Sequence, residues 1–345
     1  KRSFAKVISG NNLGFQIDSD KVKLTIGKKD FSADKFFILG ADENGIIKIN
    51  GKRFRGRLVI SNVETEIKMV NQIGLEDYVK GVMTKEMPIG KGRENYEALK
   101  AFSICARTYA YNKIIENKKF FDIYPDTRDQ VYGGGDGETN FTNEIVDETQ
   151  GQVLVYENKP AIIFYHSTCG GYTEDVSNVF SKKNISYLSG VKDGDEPYCK
   201  ISPKYEWTEE YSEAAFIERL YNAKLIDSKV FKISYINIES RFNSGRVNEL
   251  EITLKNNSGK ENDILISGNR IRSIIRSADD KSILRSTFFN ISVDNNKNII
   301  IKGKGNGHGV GLCQWGAIGQ SKIGIDFEEI LNHYFPGTKV KSIYD

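Results

Sequence analysis

The sequence predicts an α+β fold, with β-rich N- and C-terminal parts around a central helical segment, arranged as an open substrate cleft. Three observations predict it. Residues 1 to about 70 alternate apolar and polar side chains between turn residues, as in "GFQIDSDKVKLTIG" and "GIIKINGKRFRGRLVIS". At residue 75 the period lengthens, with Leu75, Tyr78, Val79 and Val82 at i, i+3, i+4 and i+7. Past residue 230 strand patterns return in "VNELEITLK", "ENDILIS", "FFNISVD" and "NIIIKG".

The elements follow in order. The helix that starts at Leu75 must stop before Pro88, because a proline pushes its predecessor out of the α region. A second helix runs from about Glu94, with Ala98, Ala101, Phe102, Cys105 and Tyr109 as its apolar stripe. The loop "YPDTRDQVYGGGDGETN" comes next, then a short helix around 139–149. "GQVLVYENKPAIIFYHS" reads as a hairpin turning at Glu157–Pro160, and "HSTCGGYTED" leaves it as a loop. The helix "GNRIRSIIRS" lies among the later strands, and the chain closes with "GKGNGHGVGLCQWGAIGQSKIG" and a helix near 326–334. Three parts result: 1–70, a β-rich region; 71–190, a helical and hairpin region; and 191–345, a mixed region with the glycine-rich motif.

A chain of 345 residues exceeds one small core. Its 39% hydrophobic and 28% charged content fits a water-soluble domain. The net charge of +3 is spread along the chain, which argues against nucleic acid as partner. Apolar runs such as "AIIFY" are far too short to span a bilayer. The abrupt start at "KRSFAKV" leads us to expect a preceding segment, with a membrane anchor in it.

Four places could carry chemistry. Glu86, in "GVMTKEMPIG", falls in the last turn of its helix between Met83 and Met87. The helix dipole and an apolar lining both push a carboxyl pKa upward, which suits a general acid; a frayed, solvated helix end is the alternative. Arg107 lies off its helix's stripe and reads either as a guanidinium facing a cleft or as a surface arginine. His166, Cys169 and Cys199 offer three ligands of zinc type, with water or Glu196 as a fourth. A disulfide between Cys169 and Cys199, or free thiols, are the alternatives. In "GKGNGHGVGLCQWGA" no register gives a dinucleotide or P-loop fingerprint. His308, Gln314 and Trp315 there suit a polysaccharide, or mark a structural turn with a buried tryptophan.

Taken together, "GLEDYVKGVMTKEMP", "EALKAFSICARTYA", "YHSTCGGYTED", "YLSGVKDGDEPYCKISPKYEW" and "GKGNGHGVGLCQWGA" resemble, in order, the motifs of the SpoIID/LytB family, across roughly residues 60 to 335. The resemblance implies a peptidoglycan lytic transglycosylase that cuts glycan strands lacking stem peptides during forespore engulfment, in the space between mother cell and forespore. It puts the essential acid on Glu86, a second functional residue on Arg107 and zinc on His166, Cys169 and Cys199; Tyr198 and Lys200, which adjoin the last of these, are expected to line the cleft. Two departures stand out: no cysteine near Glu196, and Cys313 where serine is usual, a swap expected to matter little. Hydrolysing glycosidases generally need two carboxylates, whereas a transglycosylase manages with one. Some relatives enhance a cell-wall amidase instead, so a wall-binding enhancer is the rival expectation. A zinc hydrolase of the peptide part is a third.

Overall fold

A computed structural model describes residues 13–40, 45–116, 120–180 and 183–344. The expected β-structure of residues 1–12 and 41–44 lies outside the described residues. The chain is an α+β protein that forms two compact units. One comprises residues 1–89, 106–153 and 342–345; the other comprises 90–105 and 154–341. Among the described residues no helix is long and apolar enough to cross a membrane.

In the first unit the alternating N-terminal pattern becomes two antiparallel sheets. Gly14–Asp18, Lys21–Ile26 and Lys29–Ala33 form one; Lys35–Leu39, Arg57–Val63 and Glu66–Gln72 form the other. Val22, Leu24, Phe36 and Ile60 pack as their shared core. The strands Ile47–Ile49 and Lys52–Phe54 pair across Asn50–Gly51, both with positive φ (48° and 81°), the conformation that an Asn-Gly hairpin turn demands. The helix Leu75–Glu86 follows, with Glu76 and Asp77 favourably placed in its first turn. It ends where predicted: Met87 is already extended, ahead of Pro88. The helix Asn140–Glu148 begins at a capping box, in which Thr139 accepts from the Thr142 amide and Thr142 accepts from the Thr139 amide.

The glycine run after Tyr132 has a packing reason. Gly133 N–H donates to Gly81 O at 2.9 Å, and Thr84 Oγ1 donates to Gly137 O at 2.7 Å. The Tyr132 ring packs against Gly81, where a Cβ would come within 2.3 Å of its Cε2. A glycine inside a helix costs stability, and here it admits the loop to the backbone.

The second unit is built on two three-stranded antiparallel sheets, Lys232–Arg241 with Val247–Lys255 and Glu261–Ser267, and Glu206–Tyr211 with Ile299–Lys304 and Phe289–Val293. Trp207, Leu250, Ile252, Ile299 and Ile301 belong to one core with the helix Glu213–Asn222, an element that the sequence reading left unassigned. The expected hairpin is tighter than predicted, because Glu157 and Asn158 both adopt positive φ and Lys159–Pro160 already pairs. A two-residue parallel bridge sets Tyr165 opposite Leu312 and His166 opposite Cys313. The helices Gln314–Lys322 and Phe327–Tyr334 close the unit.

Candidate functional site

Glu86 is the last residue of its helix and is half-buried. Met83 and Met87 are buried on either side of it in sequence, and the Met87 amide closes the helix on Met83 O at 3.0 Å. The Val131 N–H donates to Glu86 Oε1 at 2.5 Å. Burial raises the Glu86 pKa, and the Val131 amide opposes that rise. The shift has the direction expected of a proton donor, with burial as its cause.

The segment that offers this amide is pinned residue by residue. Asp129 accepts from Tyr109 Oη at 2.5 Å, from Lys113 Nζ at 2.9 Å and from the Tyr124 amide at 2.9 Å. Gln130, fully buried, accepts from Tyr78 Oη at 3.1 Å. Asp129 is held below the usual carboxylate range by these donors, although burial pulls the other way. Two acidic groups on one unit are therefore driven apart, Glu86 toward the neutral form and Asp129 toward the charged one.

Arg107 does not face a cleft or the surface. It is fully buried, and its guanidinium grips Glu76 with Nε at 3.0 Å and Nη2 at 2.7 Å. It also donates to Gln152 O at 3.1 Å and Val146 O at 3.2 Å. Glu76 accepts in turn from the Gly151 amide and from Tyr344 Oη. The correction has a simple cause. Ala98, Leu99, Ala101, Phe102, Ile104, Cys105, Ala106 and Thr108 are all at 0% exposure, so this stretch of helix has no solvent side for an off-stripe residue to occupy.

The thiols gather in the second unit with a membership the sequence reading missed. Cys169, Asp193, Cys199 and Cys313 are all buried, and their donor atoms lie within 4.8 Å of one another. Cys169 Sγ and Cys199 Sγ are 3.4 Å apart, and all four cysteines are free. The parallel bridge of 165–166 with 312–313 brings the two motif loops together, and the Cys169 amide then donates to Cys313 Sγ at 3.1 Å. Asp193 is fixed by Tyr334 Oη at 2.5 Å and the Cys199 amide at 2.9 Å. Burial drives the Asp193 carboxyl up to about 8, and it also raises Cys169 and Cys313. Cys199 moves down to about 3 because its neighbouring thiols donate to it.

This donor set fits a divalent metal. Tetrahedral zinc with bonds of about 2.3 Å to sulfur sets its ligands roughly 3.7 Å apart, within the span seen here. A buried carboxyl and three thiols can shed their protons together only if a cation replaces them. His166 stands outside the group, its Nδ1 held against Val310 O at 3.1 Å. Glu196 is outside as well, because its exposed carboxylate pairs with Lys200 at 2.9 Å. Cys313, expected to be a neutral swap for serine, belongs to the group.

The remaining predicted residues are dispersed. His308 has both ring nitrogens committed to backbone, Nδ1 accepting from the Val310 amide and Nε2 donating to Tyr165 O. Its ring packs near Phe164, Phe180 and His166. Burial lowers its pKa to about 4. Gln314 is buried at the start of its helix, while Trp315 is half-buried. Tyr198, half-buried, meets the His333 ring edge-on at 6.0 Å, and Lys200 is exposed.

Comparison with known proteins places the chain. A family model described as stage II sporulation protein matches residues 63–156, and a domain of unknown function matches 199–311. An uncharacterized protein of Brachyspira hyodysenteriae is 34% identical, over 85% of this chain and 73% of that protein. Stage II sporulation protein D of Bacillus amyloliquefaciens is 30% identical, over 79% of this chain and 75% of its own length. An amidase enhancer of Bacillus subtilis is also 30% identical, over 76% of this chain and 40% of the relative. The motif order and these similarities agree: the chain belongs to the stage II sporulation protein D family.

Proposed function

We propose that this protein is a lytic transglycosylase that cleaves peptidoglycan glycan strands lacking stem peptides, with Glu86 as both acid and base. The carrying observation is the half-buried Glu86 carboxyl at its helix end, raised by burial and accepting from the Val131 amide. In its neutral form Glu86 gives a proton to the glycosidic oxygen. The C–O bond breaks and positive charge develops at the anomeric carbon. The resulting carboxylate takes the proton of the same sugar's 6-hydroxyl, whose oxygen closes on that carbon as a 1,6-anhydro ring. No water is consumed. The nucleophile is tethered to the electrophile, which removes most of the entropic cost of the second step. Asp129, engaged by Tyr109, Lys113 and the Tyr124 amide, is assigned the part of holding the segment that offers the Val131 amide. Arg107 acts as a positioning residue, fixing the start of the helix that ends at Glu86.

The ion expected at Cys169, Asp193, Cys199 and Cys313 is zinc, since thiolates favour it among common divalent ions. Its role is to cross-link three segments of the second unit. Tyr198, Lys200, Gln314 and Trp315 remain candidates for sugar contact. The working location is outside the cytoplasm, in the wall between mother cell and forespore, with a cell-wall amidase as partner.

A second reading is favoured by the similarity to a protein named amidase enhancer. In that reading the chain stimulates an amidase and leaves the glycan intact. Mass spectrometry of peptide-free glycan incubated with the protein tests both, since new 1,6-anhydro ends support the first reading and their absence supports the second.

A further inference from the structure

The matched domain of unknown function contains a groove of about 660 Å³, within the usual range of ligand sites. It borders the sheet formed by Glu206–Tyr211, Ile299–Lys304 and Phe289–Val293. Thr208, Lys302 and Asn290 lie directly opposite one another across the three strands, so their side chains share one face. Glu206 and Lys304 form the next such pair along that face. The row between them, Trp207, Gly303 and Phe289, turns inward to the core. Gly303 has no alternative, because a Cβ there would come within 2.2 Å of the Trp207 ring.

The charge of this groove is unbalanced. Its lining holds Arg241, Lys302 and Lys304 against the single carboxylate of Glu206, which sits 3.8 Å from Lys304. Among the described residues Lys302 has no ionic partner. Among the described residues Arg241 donates to neutral acceptors: Gly245 O at 2.7 Å, Phe289 O at 2.9 Å and Asn290 Oδ1 at 2.7 Å. Partial desolvation lowers its pKa, and among the described residues no carboxylate offsets that. A guanidinium fixed by carbonyls with no counter-charge is preorganised for an anion. Phe288 adds an aromatic wall, while Thr208 and Asn290 offer the hydrogen-bonding groups that sugars use.

We propose that this groove binds the carboxylates of peptide-free glycan, through Arg241 and Lys302. The chemistry of the polymer supports that choice. Amide hydrolysis that removes a stem peptide leaves a free lactyl carboxylate on each muramoyl sugar, ionised at neutral pH. Stripped strands are thus polyanions with evenly spaced carboxylates next to sugar rings. The inference deepens the proposed function by giving it a basis for preferring stripped strands, and it rests on that choice of substrate.

Isothermal titration tests it with the full chain carrying Glu86→Gln, so that binding is read without cleavage. The ligands are peptide-free glycan strands, the same strands with carboxylates reduced to alcohols, and a glycerol-phosphate polymer. Native strands should bind, and reduction should weaken binding about tenfold, the usual worth of a charge-assisted hydrogen bond. Lys302→Gln, at an exposed position without a partner, should do the same with native strands, whereas Lys229→Gln should not. Arg241→Gln should match it if the loop it braces survives. Equal binding of reduced strands, an unchanged Lys302→Gln, or equally tight binding of the phosphate polymer would overturn the proposal. Carboxylate-dependent binding in a protein that makes no anhydro ends would retain the groove and remove the transglycosylase.

Discussion

The proton that Glu86 is proposed to donate depends on how much water its neighbours exclude. Burial raises its pKa, so the acid form persists to higher pH than for a solvated glutamate, and activity should fall as pH rises through that value. Met87, the next residue in sequence, is 2% exposed. Met87→Gln puts a polar group there and should move the alkaline limb of the pH–activity profile to lower pH. A limb that stays in place would mean burial does not set this pKa. Arg107 is a case of a different kind, since its partners are internal. Arg107→Ala leaves Glu76 without its cation and should cost about 3 kcal/mol of stability, read by urea denaturation. A loss under about 1 kcal/mol would show the pair to behave as a surface contact.

Among the elements, the short parallel bridge between 165–166 and 312–313 has the largest consequence, since it makes one site from two motifs. The purified protein should carry about one zinc per chain by elemental analysis. Cys313→Ser removes one sulfur ligand and should weaken retention of the metal on dialysis against a chelator by at least tenfold. A disulfide between Cys169 and Cys199 in the native protein, with no metal, would contradict this. The limits of reading elements from sequence show here too. The helix Leu75–Glu86 was legible because its period and Pro88 are local signals. The loop bearing Cys169 was also legible, and Cys199 lies beside it in the buried group. Cys313 was not, because its approach depends on a bridge between segments almost 150 residues apart, and Asp193, six residues before Cys199, carries no local signal that sets its carboxyl apart from Asp195 and Glu196. His166 was misplaced for the same reason: the bridge sets it opposite Cys313, yet its imidazole goes to Val310. Arg107 was misjudged because a helical stripe reveals one buried face and says nothing of a helix buried on all of them.

At the scale of the whole molecule, the first unit holds Glu86 and the second holds the thiol group and the cationic groove. The family model covers residues of the first, around the acid, and the domain of unknown function covers the sheets of the second. The proposed acid chemistry and the proposed polymer binding can thus be probed by separate substitutions, Glu86→Gln for one and Lys302→Gln for the other. The most direct test of the central claim is quantitative mass spectrometry of peptide-free glycan after incubation with the protein and with Glu86→Gln. The account predicts one 1,6-anhydro end per cut with the wild type and none with the variant, at unchanged fold by circular dichroism. Ordinary reducing ends in place of anhydro ends, or undiminished cleavage by the variant, would contradict it.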